Sequence, residues 1–232
     1  GGAHRVGKAI TLALARAGAD VFIHYGRSAD EAEATAAQVR ELGRAAALGS
    51  ANLSDPTVAG DLIDAATVAL GPISILINSA SGFPSDTLQD VEIDSWRSTL
   101  DLSLTSPAFL IQAFAEELPR GLGGAVINVT DVKTATPYRT HFSYIVAKGG
   151  LDELTKAAAV ALAPEIRVNA VALGVILPPP GEDEAYAQRL ADKIPMQRPG
   201  GTDPVVAAAI ALVENDFVTG ETIRVDGGQH LV

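Results

Sequence analysis

Tyr144 and Lys148 stand four residues apart in the stretch YIVAKGG. At that spacing two side chains share one helix face. A free phenol has a pKa of about 10, too high for acid–base work at neutral pH. A nearby ammonium stabilises the phenolate and lowers that value. The pair then makes a proton donor suited to reducing a C=O or C=N bond. Alone, the pattern is common, and two ordinary helix residues are the plainer reading. Its weight comes from its company: the glycine-rich opening GGAHRVG, the run ILINSAS ending near Ser81, and INVTD ending at Asp131. A carboxyl at Asp131 can bond a substrate or carry a proton. The plainer reading there is an Asx cap following a strand.

The opening stretch fits phosphate. A helix N-terminus offers unpaired N–H groups and a partial positive charge. Gly1 permits a tight turn and Gly7 permits close packing of the helix on a sheet, while Arg5 stands near where another glycine is often found. A simple loop is the alternative. A second stretch, His24-Tyr25-Gly26-Arg27-Ser28, closes the next apolar run with no carboxylate before Asp30. In dinucleotide folds an acid at that strand end binds the ribose 2′-hydroxyl, and an arginine accommodates a 2′-phosphate. Arg27 and Ser28 therefore favour NADP(H) over NAD(H), unless Arg27 is only a solvated turn residue.

The elements that position these residues alternate along the chain. Short apolar runs at Asp20–Tyr25, Ala45–Leu48, Ser74–Asn78, Ala125–Thr130, Ile166–Ala172 and Thr222–Val225 read as strands. Helical patterns cover Gly7–Ala17, Asp30–Leu42, Pro56–Leu70 with Asp55 as cap, Ile93–Leu118, Ser143–Ala163 and Asp203–Val213. Leu177–Glu184, rich in Pro, Gly and acids, reads as a loop. The alternation predicts an α/β fold: one doubly wound Rossmann-type parallel sheet with helices on both faces, forming a single domain over residues 1–232. Ligands in such sheets sit beyond the carboxyl ends of the strands. Asn78, Thr130, Asp131, Ala172 and Gly174 all fall at or just past those ends and are expected to line one crevice.

Composition narrows the partners. Across 232 residues, 17 basic against 28 acidic side chains give a net charge of −11. That balance disfavours nucleic acid and anionic membranes and leaves a small-molecule substrate. The absence of cysteine excludes disulfides, cysteine metal ligands and cysteine nucleophiles, and suits a cytoplasmic setting. No apolar run reaches spanning length, and the opening residues lack the pattern of a signal peptide. His4, His24, His141 and His230 are scattered, so no metal site is expected.

Taken together these stretches resemble the short-chain dehydrogenase/reductase family, over essentially the whole chain and in order. Gly1–Gly7 resembles its T-G-x-x-x-G-x-G loop without the threonine, Asn78-Ser79-Ala80 its N-N-A-G strand end, and Tyr144 with Lys148 its Y-x-x-x-K pair. IRVNAVALG resembles R-V-N-x-[VI]-x-P-G, and TGETIRVDGG the closing strand. The likeness is greatest to the pteridine-reductase branch. That branch carries an arginine in the cofactor loop, as Arg5 here, and an H-Y-x-R-S run, as His24–Ser28. It reads N-N-A-S-S-F where this chain has Asn78–Phe83, and has aspartate where most of the family has a catalytic serine, as Asp131 here.

The resemblance implies a catalytic set of Asp131, Tyr144 and Lys148, with Lys148 placing the nicotinamide ribose. It implies cofactor contacts from Gly1, Arg5 and Val6, from His24, Tyr25, Arg27 and Ser28, and from Asn52 and Leu53. Asn78, Ser79, Ala80 and Gly174 would complete the cofactor surface beside Tyr144 and Lys148. Phe83 would stack on a pterin ring, with Arg5, Asp131 and Tyr144 as further substrate contacts. Leu177–Tyr186 falls where the family keeps a substrate-covering loop. The helices Ile93–Leu118 and Ser143–Ala163 fall where it pairs subunits, which implies a homotetramer; Trp96 and Phe109 read as core or interface residues. The family's first strand, central in its sheet, would precede Gly1. Two positions depart from the pattern: Ser103 replaces an asparagine of the proton relay, and Leu173 a proline. The leading expectation is NADPH-dependent reduction of a pterin-like or other heterocyclic C=N substrate. A carbonyl reductase acting on ketoacyl thioesters, quinones or ketones is the alternative. A non-catalytic NADP-sensing protein is the third reading, against which both Tyr144 and Lys148 speak.

Overall fold

Alternation along the middle strands sets up the layers. In β4 (Gly124–Asp131), Val126 points to one face, where it packs with Ile111, Phe114 and Val168. Its neighbours Ile127 and Val129 point to the other, among Ile10, Leu14, Val205 and Leu212. A strand apolar on both sides must be covered on both sides. The computed structural model, which describes residues 1–179 and 181–232, shows that arrangement. α1 (Arg5–Arg16), α2 (Ala29–Glu41) and α8 (Asp203–Glu214) cover one face; α3 (Ala59–Leu70), α5 (Ser106–Glu117) and α6 (Phe142–Leu162) cover the other.

Every strand pairing is parallel. β3 (Ile75–Asn78), β4, β5 (Ile166–Leu173) and β6 (Thr222–Val225) form one ladder in that order, and β1 (Val21–Tyr25) with β2 (Ala46–Ser50) forms another. The fold class is the one expected, an α/β parallel architecture flanked by helices, with its strands in two ladders. A cavity of about 420 Å³ lies between them, lined by Val21 and Phe22 of β1, Ile75 and Ile77 of β3, and Ile10 and Leu14 of α1. The carboxyl ends of β3, β4 and β5 bring Asn78, Asp131 and Leu173 to the same edge. Buried amides tie this edge to α6: Asn78 Nδ2 donates to Asn128 Oδ1 at 2.9 Å, and Asn128 Nδ2 to Thr155 Oγ1 at 2.9 Å.

Three elements differ from their sequence reading. The continuous helix expected over Ile93–Leu118 is α4 (Ile93–Leu100) and α5, joined by a π-helical turn at Asp101–Thr105. Pro107 has no N–H to donate to the Ser103 carbonyl four residues back, so the regular ladder cannot run through. The helix expected from Pro56 opens as a 3₁₀ turn at Pro56–Val58, with Asp55 accepting from the Thr57 N–H as its cap. The loop after Leu177 ends in a further helix, α7 (Glu184–Ala191), capped by the Asp183 carboxylate on the Tyr186 N–H at 2.8 Å. Pro180, within that loop, lies outside the described residues.

Candidate active site

Asp131 is the last residue of β4, and its two oxygens have separate partners. Oδ1 accepts the Lys133 N–H at 2.8 Å, capping the 3₁₀ turn Val132–Thr134. Oδ2 accepts the Tyr144 hydroxyl at 2.9 Å. The cap and the catalytic contact, alternatives in the sequence, are made by one side chain. Tyr144 lies in the first turn of α6, and one turn on Lys148 donates to the Val129 carbonyl at 2.7 Å. Both are almost fully buried, Tyr144 at 8 % and Lys148 at 2 % exposure.

Burial and charge set the proton affinities. Burial raises the Asp131 pKa, against the pull of the Lys133 N–H, the Tyr144 hydroxyl and the Lys148 charge. Burial, and then the Asp131 charge, raise Tyr144 well above an ordinary tyrosine. Burial lowers Lys148 to about 8, opposed by Asp131 and Asp152. The expectation that Lys148 depresses the Tyr144 pKa is therefore corrected. The ammonium lies 5.8 Å from the Tyr144 ring centroid and is bound to a carbonyl, whereas the Asp131 carboxyl touches the phenol directly. At neutral pH the site holds its proton on Tyr144.

Phe83 meets Tyr144 edge-on, with centroids 4.8 Å apart. The His141 ring lies flat on Phe83 at 3.8 Å and 18°, and Tyr138 approaches its edge at 6.4 Å. His141 Nδ1–H donates to the Pro84 carbonyl at 2.6 Å, since a carbonyl only accepts. Phe83 remains 41 % exposed with His141 stacked on it and Tyr144 against it, so part of the ring is left as an apolar shelf beside the proton donor. Tyr138, with Lys133 Nζ 5.8 Å above its ring, edges the shelf. His141 and Tyr138 were not among the residues picked from sequence; the trace was the density of rings in PYRTHFSY just before the helix.

The structure places the other expected residues around the carboxyl edge. Gly7 has no room for a side chain, because a Cβ there would run into the Gly1 carbonyl. Gly174 is equally closed, its Cβ position 2.6 Å from Asp226 Cα. Arg5 adopts φ 56°, a left-handed backbone that favours glycine, which explains why glycine is usual there. Its Nη2 donates to the Pro178 carbonyl at 2.8 Å, linking α1 to the Leu177–Pro179 segment. Val6 joins the core cluster beneath α1.

His24 Nε2 meets the Ala51 carbonyl at 3.0 Å, and the Tyr25 carbonyl accepts the Ala51 N–H at 3.2 Å, joining the ends of β1 and β2. Arg27 is exposed and belongs to none of the ion pairs among the described residues. Ser28 lies 3.4 Å from the His4 ring. Asn52 accepts from the Ser54 N–H, and the Leu53 carbonyl accepts from Ser106 Oγ at 2.6 Å. Ser79 and Ala80 border Gly1. Ser103 is buried, 3.4 Å from Ser81 Oγ. The cavity between the ladders is separate from the chemistry: Asp131, Tyr144 and Lys148 do not line it. Among the described residues no helix is long and apolar enough to cross a membrane, and no group of three or more His, Asp or Glu side chains could hold a metal ion.

These residues fit an anionic dinucleotide. The first turn of α1 carries no acid, and the guanidinium of Arg27, at the end of β1, belongs to none of the ion pairs among the described residues. The family described as enoyl-(acyl carrier protein) reductase matches residues 1–230. The chain belongs to that family, a branch of the short-chain dehydrogenases/reductases. FolM alternative dihydrofolate reductase 1 from Brucella suis, solved in complex with NADP, is 36 % identical, covers 100 % of this chain and 93 % of its own, and superposes with a TM-score of 0.95. An uncharacterized oxidoreductase of Mycobacterium tuberculosis is 35 % identical, over 98 % of this chain and 89 % of its own. The 3-oxoacyl-[acyl-carrier-protein] reductase FabG of Staphylococcus aureus is 30 % identical, over 100 % and 96 %.

Proposed function

We propose that this protein is an NADPH-dependent reductase of pterin-like or related heterocyclic C=N substrates, acting as one catalytic unit over residues 1–232. The carrying observation is the Asp131–Tyr144 hydrogen bond beside the partly exposed ring of Phe83. The bound nicotinamide supplies hydride. Arg5, Arg27 and the α1 N-terminus hold its phosphates, Lys148 its ribose, and Phe83 supports the flat ring of the substrate. Tyr144 gives up a proton at its hydroxyl, and the Asp131 carboxyl replenishes it from the cleft. A carboxyl beside the donor suits a ring nitrogen that gains a proton. It suits a ketone less, because an ionised carboxylate opposes the negative charge developing on a ketone oxygen. The FolM relatives support this reading.

Reduction of ketoacyl thioesters or other carbonyls is the second reading, favoured by the likeness to FabG. Following NADPH oxidation with dihydrobiopterin, dihydrofolate, a quinone and an acetoacetyl thioester decides between them. Turnover of the thioester with none of the pterins sinks the first. The protein works in the cytoplasm as a homotetramer, with the exposed Phe109 of α5 and Val146 and Val160 of α6 as the apolar surface for pairing. A monomer in light scattering overturns that assembly.

A further inference from the structure

His141 stands at the N-cap of helix α6 and its side chain makes no capping bond, so the helix's first N–H groups need partners from elsewhere. Asp86, from the loop after β3, supplies two of them. Its main-chain carbonyl accepts the Phe142 N–H at 3.1 Å, its Oδ1 accepts the Ser143 N–H at 3.1 Å, and its Oδ2 accepts the Ser143 hydroxyl. Two residues earlier in the same loop, the Pro84 carbonyl takes the His141 Nδ1–H at 2.6 Å. The cap of α6 thus comes from a segment more than fifty positions away in the chain. That segment also carries Phe83, and the residue following Ser143 is Tyr144. A carboxylate at this end of a helix is further stabilised by the helix dipole.

We propose that Asp86 is a positioning residue for the reaction. By capping α6 from across the cleft, its carboxylate, alongside the Pro84–His141 bond, sets the Phe83 ring at its 4.8 Å spacing from Tyr144 and so aligns substrate shelf and proton donor. This rests on the reading of Phe83 and Tyr144 given above. It accounts for a geometry neither element fixes alone: the loop has no regular structure over Ser81–Asp86, and α6 has no cap of its own. The chain's single tryptophan provides a reporter. Trp96 stacks on Phe142 at 5.5 Å and 29°, against the turn that Asp86 caps.

The test compares Asp86→Ala, Asp86→Asn, Phe83→Leu and the double variant Asp86→Ala/Phe83→Leu. Four quantities are read: kcat and KM for dihydrobiopterin, the NADPH dissociation constant by nucleotide fluorescence, and Trp96 emission. Misplacing reacting groups by about 1 Å can cost up to about 10²-fold, so Asp86→Ala is expected to lower kcat by about tenfold or more. NADPH affinity stays within about twofold, Trp96 emission shifts, and Asp86→Asn, which keeps one acceptor oxygen, falls in between. Losses in the double variant are less than additive, because both changes remove the same alignment. Unchanged kcat and emission in Asp86→Ala overturn the proposal, and so does full additivity with Phe83→Leu. An equal weakening of NADPH binding also overturns it, by showing general damage to the fold. If the wild type turns over only ketones, the pterin reading fails, and the same kcat comparison on the ketone together with the emission and NADPH measurements still decides the role of Asp86.

Discussion

Asp131 Oδ2 and the Tyr144 hydroxyl lie 2.9 Å apart, and burial, followed by the charge on the carboxyl, keeps the phenol from ionising. Tyr144 and Asp131 both hold protons more tightly than their free counterparts, whereas Lys148 holds its proton less tightly. The three titrate as a coupled set, so any apparent pKa in a rate profile belongs to the group and not to one member.

Replacing Asp131 by serine separates the two enzymatic readings. Asp131→Ser weakens reduction of a pterin-like substrate and spares, or improves, reduction of a small activated ketone. The wild-type pterin rate rises as pH falls toward the raised Asp131 pKa, because the protonated carboxyl is the form that replenishes Tyr144; the variant loses that dependence. The measurement is kcat/KM for both substrates across a pH series. A parallel fall in both activities assigns Asp131 a structural role or a general one shared by both reactions.

Tyr144→Phe removes the hydroxyl and little else. The ring keeps its edge contact with Phe83, so the pocket stays filled. Turnover falls by about 10²-fold or more, the scale of general acid catalysis, with NADPH binding nearly unchanged. Steady-state kinetics paired with an NADPH titration checks this, and undiminished kcat removes Tyr144 as the donor.

Arg27→Ala tests the basis of cofactor choice. The side chain is exposed and outside the ion pairs of the described residues, so its loss disturbs no internal contact seen here. The KM for NADPH rises much more than the KM for NADH. Equal changes in both dispose of the 2′-phosphate argument.

Lys148→Met exchanges a buried cation for an apolar side chain of similar length and ends the reaction. Its effect on stability depends on pH. Burial lowers the folded lysine from 10.5 to about 8, so between those values the unfolded chain holds a proton that the folded chain has released. Stability contributed by this position therefore rises with pH across that window, by roughly 3 kcal/mol at most. Urea unfolding at neutral and alkaline pH should show the wild type gaining on Lys148→Met as pH rises. A pH-independent difference contradicts the lowered pKa.

Local pattern made much of this molecule legible. Tyr144 with Lys148, Asp131 at a strand end and the glycine-rich turn before α1 each depend on spacing within a few residues, and each stands where the pattern put it. The π-helical turn is signalled in the sequence by Pro107, but the apolar run on both sides of it reads as one continuous helix. The direction of the Tyr144 shift needed distances: sequence shows an ammonium one helical turn away, but not that it is bound to Val129 while the carboxyl touches the phenol. His141 on Phe83 and Asp86 on Ser143 join segments more than fifty residues apart, and periodicity says nothing about such meetings.

Tyr144 bonds Asp131, and Lys148 bonds Val129, so α6 meets β4 at two points with the chains running in opposite senses. Four residues along a helix advance about 6 Å, and two residues along a parallel strand advance about 6.6 Å. The two repeats agree to within about 1 Å, as the marks of a vernier coincide at one setting. A shift of α6 by a single position would turn both side chains about 100° away from the strand and break both contacts together. The proton donor and its lysine are thus gauged by a match of two backbone pitches, which requires the interval of four to be held.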